Sequence, residues 1–180
     1  MKLFRPDFYA KSIFDIDVSF FLENGIKCVL SDLDNTLDAH DVLTPSERVV
    51  EFKNKLNQEG IELCIVSNNK AKRKEIYCIR LGVKSKFTCM KPFKKKITQF
   101  YKSLGYKQDE VILIGDQIIT DVGCGKNAKI KVVLTDPITK KDQWTTRFNR
   151  LIDKPIRASL RKRGILKGVD ITYGKQKWIY

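Results

Sequence analysis

Short apolar runs that each end in a polar cluster constrain this chain more than any other feature. Ile26-Lys27-Cys28-Val29-Leu30-Ser31 runs into Asp32. Ile61-Glu62-Leu63-Cys64-Ile65-Val66 runs into Ser67-Asn68-Asn69, and Glu110-Val111-Ile112-Leu113-Ile114 into Gly115-Asp116. A shorter run, Phe87-Thr88-Cys89, precedes Lys91, and Ile130 to Leu134 forms a further one. Runs of this length and composition predict buried strands. Helical patterns separate them. Thr44-Pro45-Ser46-Glu47 predicts a helix start, with Thr44 as cap, Pro45 at N1 and Glu47 at N3. Val49, Val50, Phe52 and Leu56 then give an apolar face that Gly60 ends. A helix over 71–81 carries Ile76, Ile79 and Leu81 up to Gly82. One over 94–104 carries Ile97, Phe100, Tyr101 and Leu104 before Gly105, and a short helical segment follows Asp121.

Alternating strands and helices imply a parallel sheet with helices on both faces. The expectation is one α/β domain, Rossmann-like, over residues 25–139. At 180 residues the chain suits a single substantial core. Residues 1–24, rich in Phe and Tyr, read as an arm with a short helix that packs on the domain. Residues 140–180 read as a basic extension packed on or beside it. In a parallel sheet ligands sit outside the carboxyl ends of the strands. There the clusters Asp32/Asp34, Ser67-Asn68, Lys91 and Asp116/Asp121 can meet.

Charge at the end of a buried strand is costly unless it meets a cation, a metal or a helix terminus. Asp32 and Asp34, two residues apart, leave the strand on the same side, and a divalent metal relieves their repulsion. A plain Asp/Asn turn after a strand is the alternative for this stretch taken alone. Carboxylates, a metal, a hydroxyl and a lysine together suit phosphoryl transfer. Mg²⁺ and Lys91 neutralise a phosphate ester so that a carboxylate can attack it. Asp32 is the candidate nucleophile, forming an aspartyl-phosphate. Asp34 is the candidate acid and base. Thr36, Ser67, Asn68 and Lys91 are candidates for binding the phosphate, with backbone N–H groups at the following helix start. Asp116 helps hold the metal, and Asp121 orients Lys91 or a metal-bound water.

The stretch Asp32-Leu33-Asp34-Asn35-Thr36-Leu37 resembles the first motif of the haloacid dehalogenase-like phosphatases. Ser67, Lys91-Pro92 and Gly115-Asp116-Gln117-Ile118-Ile119-Thr120-Asp121 look like their second, third and fourth motifs, in order, within residues 26–136. Val66-Ser67-Asn68-Asn69 combined with the later motifs resembles the bacterial and mitochondrial subfamily that includes the mitochondrial phosphatidylglycerophosphatase. The resemblance implies a Mg²⁺-dependent phosphatase with an aspartyl-phosphate intermediate. In it Asp32 is nucleophile and metal ligand, Asp34 acid/base with its backbone carbonyl on the metal, and Asp116 the third ligand. Cap domains in that superfamily follow the first motif or lie between the second and third. Asp38 to Thr44 is too short for one, and one helix and one strand fill the interval from Asn69 to Lys91. The expected site is therefore capless and open. One departure is the run Phe93-Lys94-Lys95-Lys96 after Lys91-Pro92, more basic than the role of Lys91 requires.

The formal charge is +14, which favours anionic partners. From Lys140 onward twelve Lys/Arg stand against three Asp, a net +9. Trp144, Phe148, Leu151 and Ile152 approximate a helical stripe there, and Pro155 is expected to break that helix or restart the next. Such a segment can lie on anionic lipid, bind RNA backbone, or cover the domain with its charges in water. The five cysteines show no close pairing and read as buried free thiols. His40 reads as an ordinary loop residue. Neither a signal peptide nor a membrane-spanning run is visible, so the expected place is the cytoplasm, peripheral to the inner face of the membrane. The leading substrate is phosphatidylglycerophosphate. The alternatives are a soluble, protein or nucleic-acid phosphate, and an RNA- or ribosome-associated binding protein that keeps the fold. Oligomeric state is not set by the sequence.

Overall fold

The computed structural model describes residues 2–139 and 144–166, with the side chains of Lys2 and 144–150 left aside. Six parallel strands form one sheet: β1 (Phe8–Ala10), β2 (Cys28–Ser31), β3 (Glu62–Val66), β4 (Lys84–Lys86), β5 (Val111–Gly115) and β6 (Lys131–Thr135). Their order is β1-β6-β5-β2-β3-β4, so β2 lies inside, between β3 and β5. Ser31 pairs with Ile65 on one side and Ile114 on the other. That register sets the ends of β2, β3 and β5 along one edge.

Alternation along the strands divides the core. Val29, Leu63, Ile65, Ile112 and Ile114 face one way. They pack on helices α1 (Val18–Glu23), α2 (Glu47–Gln58) and α3 (Lys72–Leu81). Leu30, Cys64, Val66 and Leu113 face the other way. They meet α4 (Lys95–Ser103), α5 (Gly123–Ala128) and the far end of α6 (Trp144–Lys162). This is the expected α/β architecture, and no further domain interrupts it among the described residues. The cysteines Cys28, Cys64, Cys78, Cys89 and Cys124 are all buried free thiols.

The first residues are more than an arm. Phe8–Ala10 adds the edge strand β1 beside β6, a strand not expected from the sequence. The short helix expected there is α1, and Phe20 and Phe21 of it are fully buried. Phe8 meets Phe20 edge to face, ring centroids 5.0 Å apart. Among the described aromatics of this stretch, packing is the role that the structure shows.

Several local expectations are corrected. Thr44 does not cap α2: its hydroxyl accepts from Arg80 at 2.6 Å, and the helix starts after Ser46. The Ser46 N–H instead donates to Asp38 at 3.0 Å, so a distant carboxylate holds the helix start. The strand expected at 87–89 forms earlier, at Lys84–Lys86, because Thr88 takes a left-handed backbone (φ 53). Val50 is partly exposed, and on α3 Ile79 is 78% exposed. The buried face of α3 is Lys74, Tyr77, Cys78 and Leu81, the spacing of one helical stripe.

Pro155 does not interrupt α6, which continues to Lys162. An internal proline costs roughly 3 kcal/mol, and tertiary bonds on both sides of it offset that. The Asp153 carboxylate, buried, accepts from Ile118 N–H at 2.9 Å and Ile119 N–H at 3.1 Å. Arg157 donates to the Asp116 carbonyl at 2.8 Å, the Thr135 carbonyl at 3.1 Å and Asp136 at 2.7 Å. Leu160 is buried, whereas Leu151 and Ile152 of the expected stripe are exposed. The helix thus docks through its polar anchors and its later turns. Trp144, Phe148, Arg147 and Arg150 of the expected basic stripe lie outside the described side chains. Lys167, Trp178 and Tyr180 lie outside the described residues.

Asp153→Ala leaves two backbone donors without that carboxylate. We expect a loss of about 2–6 kcal/mol in urea unfolding, from about 1–3 kcal/mol for each of the two unsatisfied groups. An unchanged midpoint would contradict this account of how α6 docks.

Candidate active site

The residues that close the strands converge. Lys91 Nζ lies 2.7 Å from Asp32 Oδ1 and 2.6 Å from Asp121 Oδ1, and 3.3 Å from the Val66 carbonyl. The ammonium therefore joins segments following β2, β4 and β5 to the end of β3. Its side chain is almost wholly buried. Burial alone would push the Lys91 ammonium down, but Asp121 and Asp32 outweigh it and hold its pKa above the ordinary lysine value. Burial pushes the Asp121 carboxyl up, Lys91 pulls it back and Asp32 raises it again, leaving it at about 6.

The backbone that delivers Lys91 is clamped. Ser67 N–H donates to the Lys86 carbonyl, and Cys89 N–H to the Ser67 carbonyl, both at 3.0 Å. Asn68 Oδ1 accepts from Lys91 N–H at 2.6 Å, and Asn68 Nδ2 donates to the Lys91 carbonyl at 2.9 Å. Asn68, expected to touch phosphate, thus spends its amide on the Lys91 backbone. Asp121 sits on a π-helical turn, Ile118–Val122, and accepts from Gln117 N–H at 3.0 Å. Gly115 is required by this packing: a Cβ there would lie 2.3 Å from Asp121 Cγ.

Asp34 and Ser67 meet a group that the sequence reading missed. Lys74 Nζ donates to Asp34 Oδ2 at 2.6 Å and to Ser67 Oγ at 2.7 Å. Arg73 forms a second ion pair with Asp34 and donates to the Val42 carbonyl at 2.7 Å. The signal for Lys74 was present, since it shares the stripe of Tyr77, Cys78 and Leu81. A lysine at such a position reads as solvated until a buried partner is known. Asp38 is also built in: it accepts from Tyr77 OH at 2.6 Å. His40 is half-buried in the loop beyond, and its Nδ1 makes no hydrogen bond.

Asp116, fully buried, follows β5 beside the end of β2, and Thr36 Oγ1 donates to its Oδ1 at 3.4 Å. Thr36 therefore steadies Asp116. Among the described residues no three His, Cys, Asp or Glu side chains form a metal-ligand group. The Asp34 carboxylate is turned to Arg73 and Lys74. With that carboxylate engaged, the oxygen donors expected from the resemblance are the Asp32 and Asp116 carboxylates and the backbone carbonyl of Asp34. These are hard oxygen donors at adjacent strand ends, which fits Mg²⁺. Burial pushes the Cys124 thiol up to about 12, so it is no reactive thiolate.

An open parallel sheet with acids and a buried lysine at its carboxyl edge places the site where Rossmann-like α/β proteins bind ligands. The chain belongs to the haloacid dehalogenase-like hydrolases, whose family model matches residues 10–135. A relative described as "Probable phosphatase YqeG", from Bacillus subtilis (strain 168), is 32% identical over 163 residues, covering 91% of this chain and 95% of that one. Among solved structures, a cobalt-bound deoxy-D-mannose-octulosonate 8-phosphate phosphatase from Haemophilus influenzae shares the fold. Its TM-score is 0.50 at 17% identity, over 80% of this chain and 98% of that one. A putative 3-deoxy-D-manno-octulosonate 8-phosphate phosphatase from Vibrio cholerae gives TM-score 0.50 at 18% identity, over 82% and 92%. The interval between Asp38 and α2 is a loop, and α3 and β4 fill the interval between Ser67 and Lys91, so the fold is capless. Mg²⁺ dependence is consistent with this family.

The Asp121 carboxyl titrates at 3.8 in its ordinary state and at about 6 in the fold. Between those values the folded chain keeps a proton that the unfolded chain has lost. The contribution of Asp121 to stability therefore grows as pH falls through that window. Urea unfolding of metal-free protein across it should show this slope in the wild type and a flatter one in Asp121→Asn. Equal slopes would contradict the assignment.

Proposed function

We propose that this enzyme hydrolyses phosphatidylglycerophosphate to phosphatidylglycerol and phosphate through an aspartyl-phosphate on Asp32. The observation that carries the mechanism is the Asp32–Lys91–Asp121 bridge beside Asp116 and Ser67 at one sheet edge. Asp32 and Asp116 would hold Mg²⁺ together with the backbone carbonyl of Asp34. When bound, the ion neutralises phosphate charge and polarises the phosphoryl oxygens.

An Asp32 carboxylate oxygen attacks phosphorus, and the bond from phosphorus to the ester oxygen breaks. The Asp34 carboxyl gives its proton to the leaving alkoxide. Its carboxylate next takes a proton from water while that water's oxygen attacks phosphorus, breaking the bond to Asp32 and freeing phosphate. The acid role requires the Asp34 carboxyl to leave its ion pairs with Arg73 and Lys74 and to take up a proton from solvent before the first step. Lys91, held by Asp121, balances the charge on Asp32 and on the transferring phosphoryl group. Ser67 and Lys74 bind phosphate oxygens, while Asn68 and Thr36 position Lys91 and Asp116.

Three features support the lipid substrate. The motif combination resembles the subfamily with the mitochondrial phosphatidylglycerophosphatase. The capless site admits a head group still attached to its lipid. The chain is strongly basic and works, in this reading, at the cytoplasmic face of an anionic membrane. The probable-phosphatase relative supports the reaction class but names no substrate.

Asp32→Asn should lower phosphate release by about 10³-fold or more, and chelation of Mg²⁺ should abolish it reversibly. The substrate is tested by turnover of phosphatidylglycerophosphate in mixed micelles beside soluble glycerol phosphate. Faster turnover of the lipid is expected. Equal rates would replace the lipid with a general soluble phosphate ester. Release from neither, nor from a broad phosphoester panel, would favour a binding protein.

A further inference from the structure

The turn that supplies Lys91 also exposes apolar side chains. Phe93 N–H donates to the Met90 carbonyl at 2.9 Å, closing a turn around Lys91 and Pro92. The two central residues point inward: Lys91 to the site, and Pro92 toward Gly123, where a Cβ would lie 3.2 Å from the Pro92 Cβ. The two flanking residues point outward, Met90 being 56% and Phe93 66% exposed. Exposed large apolar side chains at the mouth of a polar site call for a partner. Leu43, in the loop after β2, and Leu151 and Ile152, on α6, are exposed as well. The last two adjoin Asp153, which binds the turn after β5.

The charges beside this turn break a local rule. Lys94 is the N-cap residue of α4, Lys95 and Lys96 open it, and its first turn has no acidic residue. Cations oppose the dipole at a helix N-terminus, where anions are favoured. Lys96 folds back onto the Thr88 carbonyl at 2.6 Å, whereas Lys94 and Lys95 are exposed. Helix stability does not account for the placement, but a negatively charged partner at this rim does. An RNA duplex would satisfy the lysines and leave Met90 and Phe93 in water. A bilayer with anionic head groups satisfies both.

We propose that the carboxyl edge of the sheet docks on an anionic phospholipid bilayer through the Met90–Lys95 turn. Met90 and Phe93 enter the boundary between head groups and acyl chains, and Lys94 and Lys95 pair with lipid phosphates. This rests on the phospholipid reading above and adds to it where the membrane is met. The same short turn would then hold the lipid surface outside and Lys91 inside, so a head-group phosphate reaches Asp32 without leaving the bilayer.

The test is flotation of the full chain with phosphatidylcholine vesicles, with and without phosphatidylglycerol. Wild type, Phe93→Ser and the pair Lys94→Glu/Lys95→Glu are compared, with turnover of soluble p-nitrophenyl phosphate measured in parallel. Wild type should float only with phosphatidylglycerol. Each substituted lysine should weaken partitioning about fivefold, the factor equivalent to roughly 1 kcal/mol. Phe93→Ser should also weaken it, with soluble turnover retained in both variants. If Phe93→Ser disturbs soluble turnover, the lysine pair decides alone. Wild type that does not float, equal flotation on neutral vesicles, or variants that float like wild type would overturn the proposal. Retention by RNA in place of vesicles would overturn it in favour of a nucleic-acid partner. If micellar phosphatidylglycerophosphate is hydrolysed without flotation, the substrate stands and the docking falls. If flotation needs the turn and the lipid phosphate is not hydrolysed, the docking stands and the substrate falls.

Discussion

One buried ammonium holds the functional edge of this protein together. Lys91 contacts Asp32 and Asp121, which come from segments that are distant in the chain. Removing one member of such a buried cluster leaves an uncompensated charge, at a cost of about 3–5 kcal/mol. The cluster therefore constrains the fold as well as the chemistry. It forces the loops after β2, β4 and β5 to one place, and the Asn68 amide fixes the backbone from which Lys91 reaches in. Gly115 permits the close approach of Asp121 that completes it.

Around this centre, the loops are held by groups outside the recognisable motifs. Asp38 ties the turn after β2 to the start of α2 and to Tyr77 of α3. Asp153 and Arg157 of α6 brace the backbone on either side of Gln117, through Ile118, Ile119 and the Asp116 carbonyl. The basic C-terminal stretch thus begins as scaffold for the site. Asp34 is the least settled acid in chemical terms. Arg73 and Lys74 both pair with it, so its proposed donation of a proton is coupled to a change of partner.

The strands β2, β3, β5 and β6, their order along the chain and the acids that follow them were legible because local composition decides them. Apolar runs of strand length cannot remain in water, and alternating helices leave a parallel sheet as the economical arrangement. Side-chain faces were harder. On α3, Ile76 and Ile79 looked like the core on hydrophobicity alone. The fold buries Lys74 and Tyr77 instead, because Asp34, Ser67 and Asp38 await them from other segments. On α6, Pro155 read as a break, yet anchors on both sides of it carry the helix through. Phe8–Ala10 is too short to declare itself and becomes a strand only because β6 offers an edge.

By itself the sequence determined a haloacid dehalogenase-like chain and singled out Asp32, Lys91 and Asp116 as candidate chemical residues, since motif order and spacing are local properties. Only the tertiary structure decided that Lys74 and Arg73 grip Asp34, that Asn68 serves Lys91, and that α6 braces the Asp116 loop. A buried polar side chain takes its role from whichever partner the fold brings within hydrogen-bond distance, and that partner is written elsewhere in the chain.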